Sequence, residues 1–155
     1  MGLTRILAAL AALMLVFGFG PRAAAPSRRG AERGVRQALV RLNTLLAQRD
    51  IAIVDEFMPD GDILLVGYAL DEVARGRAGL EAHFRRLFAL PQVLRFDWRE
   101  VEVSVHGPVA WLHAEGDLVL QGEPAERRTY RLTGVFELSQ GLWKWRLFHG
   151  SQPAA

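Results

Sequence analysis

Trp143, Trp145, Leu147, His149 and Ser151 recur at every second residue near the end of the chain. In an extended segment that spacing puts all five on one face. Two indoles and a leucine then form an apolar wall that ends in an imidazole and a hydroxyl, the usual lining of a small-molecule pocket. His149 leads the candidates for chemistry, because an imidazole can donate, accept or exchange a proton near neutral pH. The competing reading is a structural histidine, hydrogen-bonded at a strand end. Arg131 lies on the preceding segment with Thr133 and Val135. Facing inward, it would need an acidic partner or an anionic ligand, since an unpaired buried guanidinium is costly. Facing outward, it belongs to a surface ion pair. One segment earlier, Trp111, His113, Glu115 and Asp117 share a face opposite Ala110, Leu112, Ala114 and Leu118. Asp117 or His113 would supply a single acid or base if that face were lined up with the pocket. The alternate set is the more apolar, which favours a solvated face for the polar one. The candidate set is therefore His149, Asp117 and Arg131 for catalysis, with Trp143, Trp145, Trp111, His113 and Ser151 as ligand contacts. His83 and His106 carry no comparable pattern.

Composition narrows the chemistry. Cysteine is absent, which removes thiol nucleophiles, disulfides and thiolate metal sites. No histidine pair or acidic loop has metal-ligand spacing, and there is no glycine-rich phosphate loop or nucleophile elbow. No cofactor is expected. Of the 19 basic residues, Arg5 and Arg22 fall in the first 25 positions, which hold no acid; 17 basic residues then face 17 acidic ones in the remainder. A neutral domain with no basic run beyond Arg28-Arg29 argues against nucleic acid as a partner.

Those residues must be positioned by a folded domain that follows a leader. Residues 1–25 have Arg5, the apolar run Ile6–Phe19 and then Ala23-Ala24-Ala25, the layout of a secretory signal peptide. The run is short of the ~20 residues that span a bilayer. Pro26 is disfavoured after a cleavage site, so an uncleaved anchor stays open; only through it would the chain meet a membrane. Residues 26–30 read as a linker and 31–153 as the domain. Val35, Leu39, Leu42 and Leu46 mark an amphipathic helix over about 31–48. Asp50 is a plausible cap for a short helix over 51–58, which Pro59-Asp60-Gly61 ends. Residues 62–68 read as a strand and 71–76 as a turn or short strand. A third helix over about 77–90 buries Leu80, Phe84 and Leu87. The period then changes to two, giving strands over 92–106, 109–121, 126–139 and 142–151. Three helices followed by four long strands is an α+β pattern. Strands this long must twist and curl, and the simplest product is a cone-shaped, curved antiparallel sheet wrapped over the helices.

This order resembles the nuclear transport factor two-like (ketosteroid isomerase-like) superfamily, and within it the SnoaL-like domains. Three stretches carry the likeness: Arg49-Asp50 with Ile53 to Asp60, then Arg75-Gly76-Arg77-Ala78-Gly79-Leu80, and Trp143 with His149 and Ser151. Ala110-Trp111 after the Gly107-Pro108 turn is a fourth, lesser feature. The resemblance covers about 31–153 and implies a cystatin-like α+β barrel with a pocket between sheet and helices, often in homodimers. It implies no single reaction. The isomerase arrangement needs a tyrosine from the first helix, and the tyrosines here are only Tyr68 and Tyr130. The functional expectation is an exported domain binding a small, largely apolar molecule. Alternatives are a lyase or isomerase of polyketide cyclase or dehydratase type, and a dimeric interaction module without a functional pocket.

Overall fold

The computed structural model describes residues 27–69 and 71–153; the expected leader lies outside them. Helix α1 spans Arg28–Gln48 and buries Ala31, Val35, Ala38, Leu39, Leu42 and Leu46, one stripe at helical spacing. Ser27 begins it by accepting the Gly30 amide at 3.2 Å, a cap worth about 1 kcal/mol. Arg28, Arg29 and Gly30 are thus the first turn of the helix rather than linker. At the far end Arg49 is left-handed, with φ 56° and ψ 34°, a conformation costing roughly 1–2 kcal/mol for a residue with a Cβ. Its guanidinium offsets that by donating to the Leu90 and Pro91 carbonyls at 2.7 and 3.0 Å.

Asp50 caps the second helix, its carboxylate accepting the Ala52 amide at 2.9 Å. That helix is a 3-10 segment, Ile51–Glu56, not an α-helix reaching Met58. Ile51, Ile53 and Val54 are β-branched and weak helix formers. Phe57 instead bridges to Trp145, and the Met58 amide donates to the Trp145 carbonyl at 2.9 Å. Strands β1 (Leu64–Val66) and β2 (Val73–Arg75) form a short hairpin, so the first strand is briefer than the 62–68 expected. Helix α2, Gly76–Phe88, follows and buries Leu80 and Phe84.

The long strands are β3 (Val93–His106), β4 (Val109–Gln121), β5 (Glu126–Ser139) and β6 (Leu142–Ser151). The six strands make one sheet in the order β2-β1-β6-β5-β4-β3. The four long strands pair antiparallel as expected, and the short β1 joins β6 in parallel. The architecture is the anticipated α+β cone: a curved, unclosed sheet with the helices on its concave face. That face carries Leu112, Leu118, Leu132, Phe136, Trp145 and Phe148, all buried.

Two bulges bend the sheet. One falls between Trp98 and Glu100 on β3. The other is on β6, where Trp145 pairs with Phe136 and Leu147 with Val135, leaving Arg146 as the extra residue. It shifts the side-chain phase of the closing strand. Trp143 and Trp145 point inward before the bulge; after it, Phe148 and Gly150 point inward, and His149 and Ser151 are exposed. The expected five-residue face is therefore divided between the two sides of the sheet. Arg146 stays at the surface, held by Asp60 at 2.6 and 2.9 Å and by Glu137 at 2.5 Å.

Candidate functional site

Between the concave sheet and α2 lies a cavity of about 130 Å³. Leu42 and Leu46 of α1, Phe84 and Leu87 of α2, and Leu118 and Phe148 of the sheet supply apolar wall. Its mouth is marked by the most exposed lining residues, Tyr68 at 43% and Leu90 at 42%. Five polar side chains reach it: Tyr68 and Glu72 from the β1–β2 hairpin, His83 from α2, and Arg128 and Tyr130 from β5.

Two glycines explain how Glu72 and Tyr130 come together. A Cβ on Gly67 would overlap the Glu72 carboxylate, and a Cβ on Gly150 would overlap the Tyr130 hydroxyl. Leu65 pairs with Phe148 and Val66 with His149, so Gly67 and Gly150 each directly follow the last residues that β1 and β6 pair. Each polar head thus fills the space of a missing side chain, and the Glu72 carboxylate is near enough for its charge to act on the Tyr130 phenol. The hairpin fixes Glu72: its carbonyl accepts the Gly67 amide at 2.7 Å, and its carboxylate accepts the Ala69 amide at 3.3 Å.

Electrostatics separates the roles. Burial, aided by the nearby Glu72 carboxylate and by Tyr68, pushes the Tyr130 phenol well above its ordinary range, so it remains a hydrogen-bond donor. Burial lowers the His83 pKa; Glu72 works against this shift and Arg86 with it. His83 is accordingly a neutral imidazole, its ring lying edge-on to Phe84 at 5.5 Å between centroids. Arg128 is occupied: Nε and Nη2 donate to Glu126 at 2.6 and 2.7 Å, and Nη1 donates to the Tyr68 hydroxyl at 3.2 Å. The site therefore offers an acceptor (Glu72), a donor (Tyr130) and a neutral imidazole around an apolar volume. That set can orient a small ligand or move a proton on one.

None of the eight residues singled out from sequence lines this cavity. Trp143 and Trp145 do face inward but are packed in the core, 4% and 0% exposed. Trp145 fills the space between Phe136 and Phe148, at centroid distances of 4.2 and 5.6 Å. His149 and Ser151 lie on the convex face because of the Arg146 bulge. Trp111, His113 and Asp117 lie there too, opposite the buried Ala110, Leu112 and Leu118, as the more apolar alternate set implied. Arg131 is exposed and pairs with Glu115 across the strands at 2.9 Å, the surface ion pair anticipated as its bland reading. Asp117 is bound by Arg99 at 2.7 Å.

The signals for the actual lining were present but faint. Tyr130 alternates in phase with Leu132 and Phe136, the apolar side of β5. On β6 the tryptophans and phenylalanine fall at 143, 145 and 148, and the three-residue step is the mark of an inserted residue. Glu72, by contrast, sits in a short segment with no periodicity of its own.

Residues 35–155 match the family model described as a SnoaL-like domain, and the chain belongs to that family. No curated protein matches it. Among solved structures it is similar to a Streptomyces avermitilis protein assigned as a dehydratase of the NTF2-like family. The identity is 19%, the TM-score 0.74, with 81% of this chain and 97% of that one covered. An NTF2-like protein of unknown function from Pseudomonas putida KT2440 is 20% identical with a TM-score of 0.71, covering 84% and 92%. A Novosphingobium aromaticivorans protein assigned as a scytalone dehydratase is 12% identical with a TM-score of 0.70, covering 79% and 83%. Likeness at these identities is likeness of fold.

Proposed function

We propose that this SnoaL-like domain binds a small, largely apolar molecule in its cone. The observation that carries the reading is the cavity of about 130 Å³ with leucine and phenylalanine walls and Glu72, His83 and Tyr130 among its lining. An apolar cavity of about 150 Å³ accepts one benzene, so the volume suits a single ring. Native mass spectrometry of the chain purified from its own organism tests this. The expected spectrum shows a bound small molecule that is absent from a Leu87→Trp variant, whose indole would occupy the cavity. Spectra in which the wild type and that variant carry the same mass increments, or none, would contradict it.

The presence of Glu72 and Tyr130 in one cavity favours a second reading, an enzyme of lyase or isomerase type. In it the Glu72 carboxylate takes a proton from a carbon next to a carbonyl, the Tyr130 hydroxyl donates to that carbonyl oxygen, and the proton returns at another atom. These residues replace His149, Asp117 and Arg131 in the role. The neighbours assigned as dehydratases are compatible with it. Loss of turnover in Glu72→Gln with ligand binding retained would mark this reading; retained turnover would remove it.

The leader makes export part of the proposal, with an uncleaved anchor as its alternative. No helix among the described residues is long and apolar enough to cross a membrane. The convex face is proposed as a homodimer surface: Trp111, 50% exposed, stands in one cross-strand row with Val135, Leu147 and Leu64.

A further inference from the structure

We infer that the cavity selects neutral single-ring molecules that carry a hydrogen-bond donor beside an acceptor, and turns carboxylates away. This rests on the ligand-binding reading above and adds the ligand's polar chemistry to it.

Charge decides the first half. Arg128 is the cationic side chain among the lining residues, and Glu126 takes two of its three nitrogens, leaving Nη1 on the Tyr68 hydroxyl. Glu126 is not part of the lining; its carboxylate already offsets the guanidinium's charge, so a ligand anion would meet a neutralised ion pair rather than a free cation. The unpaired formal charge within the lining is then the Glu72 carboxylate. Like charges within one apolar pocket interact strongly, because little water screens them. His83 is neutral and offers an anion no compensation.

Geometry decides the second half. Glu72 accepts over Gly67 and Tyr130 donates over Gly150, both lining the same cavity and close enough for the carboxylate's charge to act on the phenol. Their natural complement is an edge with N–H or O–H next to C=O, as in a primary amide or a neighbouring hydroxyl and carbonyl. A purely apolar ring would fill the volume but add no partner for the Tyr130 hydroxyl and none for Glu72 beyond the Ala69 amide, and an unmet buried group is costly. A ligand with both functions meets both at once.

Calorimetric titrations with toluene, benzamide and benzoate at pH 7.5 separate the possibilities. In the wild type benzamide should bind at least about tenfold more tightly than benzoate, a difference of about 1.4 kcal/mol, with toluene also bound. In Glu72→Gln, benzoate should approach benzamide, because the repelling charge is gone. In Tyr130→Phe, benzamide should weaken while toluene holds, which also shows that the variant keeps its cavity. Benzoate binding the wild type as tightly as benzamide overturns the inference and leaves the binding reading standing. Absence of binding by all three probes overturns both.

Discussion

His83 couples the site to pH. Burial disfavours its charged form, so its folded pKa lies below the ordinary 6.5. The unfolded chain therefore binds a proton that the folded chain resists, and stability rises with pH across that interval. The contribution of this group is complete above about pH 6.5 and declines as the pH falls from there towards the lower folded value. Denaturant midpoints between pH 7.5 and 5 should fall in the wild type and fall less in His83→Gln; equal slopes would mean that the ring is solvated. The histidine that stood out in the sequence, His149, carries no such burial. Its prominence came from assuming an unbroken two-residue period, and the period breaks at Arg146. Tyr130 was legible in principle through its phase with Leu132 and Phe136. Glu72 was not, because its approach depends on the missing side chain of Gly67 and on a hairpin whose strands are three residues each.

The closing strand shows what a single inserted residue does. Arg146 is the bulge, and its guanidinium ties β6 to Asp60, the Asp62 carbonyl and Glu137. That contact holds the Asp60 carboxyl below its ordinary range. A depressed carboxylate stabilises the fold above its unfolded pKa, near 3.8, and ceases to do so as the pH falls through the lower folded value. Arg146→Met should therefore lower the thermal midpoint at pH 7, and the gap from the wild type should narrow below about pH 4. A gap independent of pH would contradict this assignment. Before the bulge, Trp145 sits against Gly134, where an added Cβ would come within 2.5 Å of the indole. Trp145→Ala should cost about 3–5 kcal/mol by chemical denaturation, and a loss below about 1 kcal/mol would mean an indole that is not buried. Gly134→Ala should destabilise by steric conflict alone. The extents of β4, β5 and β6 were readable from turn residues and alternation, since Gly107-Pro108, Gly122 and Gln140-Gly141 punctuate them clearly. The bulge was less so, because a phase change looks like noise unless Trp145 and Phe148 are known to share a side.

At the scale of the molecule, the cone was legible because long strands after amphipathic helices leave few other ways to bury both. The parallel β1–β6 contact and the residues that line the cavity were not, since each depends on which distant segments meet. The convex row through Trp111 makes a prediction at the same scale: Trp111→Glu should shift a sedimentation profile from dimer to monomer, and a wild type that sediments as a monomer at high micromolar concentration would contradict the dimer proposal. The cavity itself is tested most directly by methyl NMR on leucine-labelled protein titrated with benzamide. The methyls of Leu42, Leu46, Leu65, Leu87 and Leu118 should shift together and saturate, while Leu147 on the convex face stays put. Movement of Leu147 with the cavity methyls unchanged would place binding on the opposite side of the sheet and contradict the account.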